Sequence, residues 1–510
     1  MTVNPFNDLD YALFFAIVLV ALFVGFIAYL WRKPKTMEDI QEWGLGGRRF
    51  GTVVVWFLLG GDLYTAYTLI AVPGLASSSG ALAMFAITYG IMIYPIVYAT
   101  MPRLYNVSKK RGYITSSDYV KDRFDSRLLA MLIGLTGVAA ELPYIALQIV
   151  SISYVLRAMF LPATVTLIFA FALVAIFTFV SGLRGPALTA ILKDAIIWVA
   201  VIAIVIYIPY KLGGFQPIFA DASKYFAASG SSSSTPLFES PTLGLGYTTL
   251  ALGSALALFL YPHGVTGTLG SKDTKTIKRN ASLLPLYNIL LLMVAILGIA
   301  AVVVHNGVFS PSTSSFAIPY LIRDEFPTLF TSFAYAAIVV GSVVPASIMA
   351  IASANLLTRN VYLEYINPNA SSKTQSWLSR ILVLVVIAAS LAFSLIKVAS
   401  GDIVFLQTLG GAIVLQTLPA IYISLYTRKM SKYTVGLGWL AGISAVIYGQ
   451  YIINFSGKAF MTGAYDFIYV GIFGLLVNLL VILIIHGISL GLGKVKDEGL
   501  IDNQEFVIDQ

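Results

Sequence analysis

Apolar residues run along this chain in long blocks, with polar residues collected in short stretches between them. The blocks lie at 11–31, 52–76, 81–102, 128–157, 163–182, 190–211, 246–265, 281–304, 332–357, 379–397, 403–426, 435–455 and 466–486. Each is about long enough to cross roughly 30 Å of hydrocarbon as a helix. The pattern predicts an all-α integral membrane protein with about thirteen transmembrane helices. The first block is expected to be a membrane span and not a cleavable leader, because no Lys or Arg precedes it while Arg32, Lys33 and Lys35 follow.

The polar stretches carry the charge, and their bias sets the orientation. Of the 32 Lys and Arg residues, 26 fall on the side that receives 32–51, 103–127, 183–193, 266–280, 358–380, 427–434 and the tail. Basic residues mark the cytoplasmic face, so the N-terminus is expected outside and the C-terminus in the cytoplasm. Lys193-Asp194 sits at the cytoplasmic start of its block and reads as a surface pair or as part of an inner ion path. The stretch 212–245 is rich in Gly and Ser and is expected to be a flexible external loop. Residues 307–331, interrupted by Pro311, Pro319 and Pro327, predict a short re-entrant or surface helix outside. The polar tail 493–510 is expected to be disordered.

Composition closes off several functions. The chain is 58% hydrophobic and 11% charged, against about 25% charged in soluble domains. It has no cysteine and three histidines, His263, His305 and His486, which excludes disulfides and thiolate chemistry. Nucleophile-elbow, zinc-protease and phosphate-loop motifs are missing, so no enzyme is expected. The positive-inside rule accounts for the basic residues, and nucleic acid is not implied.

A few polar groups interrupt the apolar blocks, and they are the candidate chemistry. Residues 60–74 (GGDLYTAYTLIAVPG) place Asp62, Tyr64, Thr65 and Tyr67 among two glycines and a Pro73-Gly74 pair. Backbone breaks at membrane depth survive only where protein or a water-filled cavity covers them, and intramembrane carboxylates mark ion or proton paths. Asp62, beside carbonyls freed at Gly60 and Leu63, is therefore a candidate cation ligand or proton carrier. The block at 246–265 has its own interruption, Tyr261-Pro262-His263-Gly264. Paired broken helices point to a transporter's binding site. Blocks 52–211 and 246–426 hold five spans each, and an odd number gives them opposite topology. The implied organisation is a first helix and loop (1–51), two inverted five-helix repeats, the external loop between them, two flanking helices (427–492) and the tail. Tyr144 and Gln148, four apart in one helix, share a face, with Glu141 near it as a candidate second proton site. Gln407 in the eleventh block is a further polar candidate.

These residues resemble a known family. Residues 44–48 (GLGGR), 61–74, Lys193-Asp194, Tyr261-Pro262-His263, Ser271-Lys272-Asp273 and 356–362 (LLTRNVY) are similar to the solute:sodium symporters, over about residues 8–455. PYIALQ at 143–148, NLLTRNVY at 355–362 and LGGAIVLQTLP at 409–419 are most similar to its monocarboxylate-permease branch. The resemblance implies a leucine-transporter-type fold of ten core helices in a 5+5 inverted repeat, with alternating access. It also implies a sodium site of the Gly60 and Leu63 carbonyls, Asp62, the Gly341 carbonyl and a hydroxyl pair. That pair falls on Val344-Pro345, whose side chains cannot ligate a hard cation. Loss of the hydroxyls with Asp62 retained is the pattern expected of a change from sodium to proton.

The reading is a secondary-active importer of a small organic solute, a monocarboxylate or amino acid, driven by a sodium or proton gradient and needing no cofactor. Asp62, Gly60, Leu63, Gly341 and Asp194 are the expected cation-coupling residues. Tyr64, Thr65, Tyr144, Gln148, Tyr261, His263 and Gln407 are the expected substrate residues, with no unpaired Lys or Arg near them. A sensor, a channel or a symporter of sugars or other solutes on the same fold is the alternative. The expected partners are the solute and the bilayer, and a monomer suffices.

Overall fold

The computed structural model describes residues 5–27, 39–61, 64–229, 241–397, 403–453, 459–462, 466–493 and 499–507. Among these residues the fold is all-helical, with two isolated β-bridges, Phe50 to Ser271 and Phe460 to Tyr469, and no longer strand. Eleven helical runs are long and apolar enough to cross a membrane, or twelve if the bent pair Gly244–Leu258 and Pro262–Leu269 is one span. The sequence count of thirteen is higher for a local reason. The blocks 52–76 and 81–102 correspond to a ten-residue helix, Thr52–Gly61, and a 45-residue run, Tyr67–Arg111. At 1.5 Å per residue the run would be about 68 Å long if straight, twice the hydrocarbon thickness. It is interrupted at Gly80, whose φ of +57° ends Val72–Ser79.

Burial separates the core from the periphery. The apolar window of Thr328–Ile366 is entirely buried, whereas that of Asp8–Ile27 is 28% buried and leaves the rest for lipid. Arg127–Ala158 packs against Thr328–Leu356, Ile403–Val414 and Ser372–Lys397. Arg184–Lys211 packs against Thr328–Leu356, Thr52–Gly61 and Asp8–Ile27. These long helices surround two broken ones. The first stops at Gly61 and resumes with a π-type turn, Tyr67–Ala71, that continues into Val72–Ser79. The second runs Pro241–Leu258, bends by 44° and resumes at Pro262. Proline suits that restart, since the first N–H of a helix has no intrahelical acceptor.

Three expectations need correction. Pro73-Gly74 is no second break: both residues lie inside Val72–Ser79, where the π-type turn has just handed over to α-helix. Gly74 serves close approach instead, since a Cβ there would lie 2.9 Å from the Ser314 carbonyl oxygen. The stretch 212–245, expected to be a flexible loop, contains a helix, Phe215–Ala228, that buries Ile218, Ala222 and Phe226 and packs on Tyr287–Val304. Its Ser-rich part, 230–240, lies outside the described residues. The tail is ordered where it is described. Ile501 and Phe506 are buried, Arg111 binds Glu505 at 2.7 Å, and the Leu500 N–H donates to the Asp122 carbonyl at 2.8 Å. Two apolar anchors and an ion pair outweigh the polar composition. The segment 307–331 contains a short helix, Ala317–Glu325, packed on Val72–Ser79 and Thr328–Leu356.

Candidate functional site

Both helix restarts are held by the helix Arg127–Ala158. At the first, the Ala66 N–H donates to Gln148 Oε1 at 3.1 Å, and the Tyr67 N–H donates to Thr65 Oγ1 at 2.9 Å. At the second, the His263 N–H donates to Glu141 Oε1 at 3.0 Å, and the same oxygen lies 2.7 Å from His263 Nδ1. Helix N-termini present free N–H groups and partial positive charge. A neutral amide answers one of them and a carboxylate the other. Gln148, Glu141, Thr65 and His263 are all buried.

Aromatic rings pack around the second restart. The Tyr144, Tyr261 and His263 centroids lie 5.2–5.6 Å apart in all three pairings. The Tyr261 hydroxyl donates to the Gln407 carbonyl oxygen at 3.2 Å. Thus Tyr144, Tyr261 and His263 lie together with Glu141 and the Gln407 backbone beside them, while Gln148 of the same helix as Tyr144 reaches the first restart. Two side-chain atoms there, Gln148 Nε2 and Gln407 Oε1, are buried with no partner among the described residues. A buried donor and a buried acceptor left open each call for an explanation.

Tyr64 does not belong to this group. Its hydroxyl donates to the Tyr287 carbonyl at 2.8 Å, and its ring lies 4.4 Å from that of Tyr287. It braces the first break against Tyr287–Val304 instead of facing the second restart.

The largest departure from the sequence reading is Lys193. Its sequence position predicts the cytoplasmic edge, yet its helix begins at Arg184 and both Lys193 and Asp194 are buried. The Lys193 ammonium donates to the Gly61 carbonyl at 2.8 Å and the Tyr64 carbonyl at 2.9 Å, and lies 2.7 Å from Asp194 Oδ1. Asp194 Oδ2 accepts from the Tyr287 hydroxyl at 2.7 Å. A cation paired with Asp194 therefore stands at the break, consistent with the expectation that no unpaired Lys or Arg lies there. One signal was present in the sequence: an adjacent Lys-Asp pair flanked on both sides by apolar residues, AILKDAIIW. Its charges cancel, so the pair can enter an apolar block.

The expected cation ligands fall differently. Asp62 and Leu63 lie outside the described residues. The Gly60 carbonyl accepts the Tyr64 N–H at 3.1 Å, so the helical ladder still engages it. Gly341 faces the break, and a Cβ on it would lie 3.9 Å from the Tyr64 carbonyl oxygen. The two hydroxyls flanking Val344-Pro345 are turned into their own helix. Ser342 donates to the Ile338 carbonyl at 2.9 Å, and Ser347 to the Val343 carbonyl at 2.8 Å. Ser347 also accepts from Thr178 at 2.8 Å. Among the described residues no group of three or more His, Asp or Glu side chains could hold a metal ion.

The model of the sodium:solute symporter family matches residues 43–442. This chain belongs to the sodium:solute symporter family. As a symporter it is a multi-pass membrane transporter of small solutes and not an enzyme. It is 40% identical to a monocarboxylate transport permease protein of Rhizobium johnstonii, over 94% of this chain and 97% of that one. It is 36% identical to an uncharacterized symporter, YodF, of Bacillus subtilis, over 92% and 91% of the two chains. Among solved structures it resembles a Na+-coupled sialic acid symporter in a substrate-bound outward-open state. That match has a TM-score of 0.74 at 17% identity and covers 94% of this chain and 98% of the other. The likeness carries the fold: the symporter has the leucine-transporter-type architecture of a 5+5 inverted repeat with flanking helices.

Proposed function

We propose that this symporter imports a small monocarboxylate by alternating access, driven by a cation gradient. The carrying observation is the unequal capping of the two restarts. Glu141 already occupies the second, accepting the His263 N–H and contacting its ring. The first is capped by the neutral Gln148, whose Nε2 has no partner among the described residues. A carboxylate beside this restart would meet the positive end of a helix and gain the open amide donor of Gln148, which is what charge-assisted recognition needs. Tyr144, Tyr261 and Gln407 then bound a short organic body. The Rhizobium permease supports the same substrate class.

The two inverted repeats, 52–211 and 246–426, are the units proposed to move, with the outer helix Ala317–Glu325 against the first of them. The proposed orientation is N-terminus outside and C-terminus cytoplasmic. With the buried Lys193 set aside, 25 of the other 31 basic residues still fall on the inner side. The coupling ion is sodium or a proton.

The test is uptake into proteoliposomes of labelled lactate, pyruvate and acetate beside proline and glucose, under separately imposed sodium and proton gradients. Accumulation of the monocarboxylates above equilibrium, with little of the other two, is the expected result. Accumulation of proline or glucose alone overturns the substrate class, and gradient-independent flux overturns coupled import.

A further inference from the structure

We infer that Lys193 is the resident cation of the first helix break, holding with its own ammonium the place a free monovalent cation would take. The inference rests on the transport reading for its significance but not for its geometry. A break in a membrane helix frees carbonyl oxygens, which need a donor or a cation in the absence of water. Here the two carbonyls, Gly61 and Tyr64, and the carboxylate oxygen of Asp194 converge on one nitrogen at 2.7–2.9 Å. An ammonium has three N–H donors and no acceptor; the two carbonyls take one hydrogen bond each, and Asp194 Oδ1 supplies the counter-charge. A neutral amine would turn its lone pair on one of them.

Among the described residues, the groups around the ammonium are engaged elsewhere. A Cβ on Gly61 would lie 3.1 Å from both Cε and Nζ of Lys193, so the lysine stem fills the space next to the turn. The Tyr287 hydroxyl takes the other oxygen of Asp194, and the Tyr64 hydroxyl takes the Tyr287 carbonyl. On the facing helix, Val344 and Pro345 offer no ligand, and Ser342 and Ser347 donate to their own helix. What is missing opposite the break is thus matched by what is present within it: a lysine in place of an ion with an oxygen shell. Sodium, on this inference, does not bind between Gly61, Tyr64 and Asp194.

The experiment removes the tether and offers free cations. The full-length protein, Lys193→Ala and Lys193→Ala/Asp194→Asn are purified, and their thermal unfolding is followed in 100 mM choline, sodium, ammonium or methylammonium chloride. The unaltered protein is expected to unfold at the same temperature in all four salts. Lys193→Ala is expected to unfold several degrees higher in ammonium, methylammonium or sodium than in choline, and Asp194→Asn to abolish that gain. Lys193→Met, which keeps most of the apolar stem and loses the charge, replaces Lys193→Ala if the latter does not fold. A sodium shift in the unaltered protein as large as that of the variant overturns the inference, as does a variant that no small cation stabilises. No solute is present, so failure of the monocarboxylate reading leaves the result intact. Uptake by Lys193→Ala restored at least tenfold by ammonium or methylammonium would extend the inference to transport.

Discussion

Glu141 and Gln148 lie seven residues apart on one helix, and each accepts the first free N–H of a different broken helix, His263 and Ala66. Seven residues are about 10.5 Å of helix, so the two restarts are anchored to one rod at a fixed spacing. The two caps differ in charge, and that difference separates their consequences.

Gln148 is the more informative to change. Gln148→Leu removes the cap and the open donor, and its uptake KM should rise roughly ten- to a hundredfold, the scale of about 1.5–3 kcal/mol for a hydrogen bond to a charged group. Gln148→Glu keeps an acceptor for Ala66 but adds a negative charge, and should lose carboxylate uptake altogether. If Gln148→Glu transports as well as the unaltered protein, the anion does not bind at that restart.

Glu141 should matter first to stability. Glu141→Gln retains an oxygen for the His263 N–H, whereas Glu141→Leu loses both the cap and the contact with the ring. Loss of an N-cap alone costs about 0.5–2 kcal/mol, so the Leu variant should unfold at clearly lower temperature than the Gln variant in detergent. Equal unfolding temperatures would mean that the cap carries no stability.

The pair Lys193–Asp194 should show strong coupling. Removing one partner of a buried ion pair costs about 3–5 kcal/mol because the other charge is left stranded. Lys193→Met and Asp194→Asn should each destabilise more than half as much as the double variant does, and the double variant should fall well short of their sum. Additive losses, measured by denaturant unfolding in detergent, would show that the two charges do not depend on each other.

Gly298 should not tolerate a methyl group. A Cβ there would lie 2.1 Å from the Pro73 carbonyl oxygen, a backbone atom that cannot swing aside. Overpacking of this kind costs about 1–3 kcal/mol. Gly298→Ala should therefore lower the unfolding temperature and slow uptake, since it pushes on the helix that carries the first restart. Unchanged uptake and stability would indicate a looser contact.

The docked tail gives a pH prediction. The hydrogen bond from Arg111 holds the Glu505 carboxyl below its ordinary value of 4.5. A lowered pKa means that the ionised form is favoured in the folded state, so this contribution is complete above pH 4.5 and is lost as pH falls below it. Hydrogen exchange at 499–507 should be slow at neutral pH and should accelerate, beyond the intrinsic pH trend, once Glu505 is protonated. Arg111→Ala should abolish that extra step.

Much of the architecture is legible in apolar block lengths, because lipid demands an unbroken run for nearly every span. Gly60-Gly61-Asp62 and Tyr261-Pro262-His263 likewise announce their breaks, since residues of those types have no other use at that depth. What escapes is the rest of the site's electrostatics. Lys193 counts as loop in any charge tally, and only the start of its helix at Arg184 brings it inside. Its acceptors are backbone oxygens about 130 residues away in the chain, which no local pattern encodes. The same holds for Phe506 and Glu505, whose partners precede them by almost 400 residues. Tyr64 reads as a site residue by position, and its turn toward Tyr287 depends on packing alone.

The ammonium of Lys193 has a consequence for electrical bookkeeping across the membrane. A sodium ion that binds at a helix break leaves on the far side and takes its charge along, so each cycle passes current. A positive charge bonded to the backbone through its own carbon chain is released to neither side. Over a full cycle it contributes nothing to the net current, however far it swings on the way. An anionic solute entering with this group alone would carry its negative charge inward unaccompanied. The compensating charge must cross by another route, and the current per solute molecule would reveal how many such charges there are.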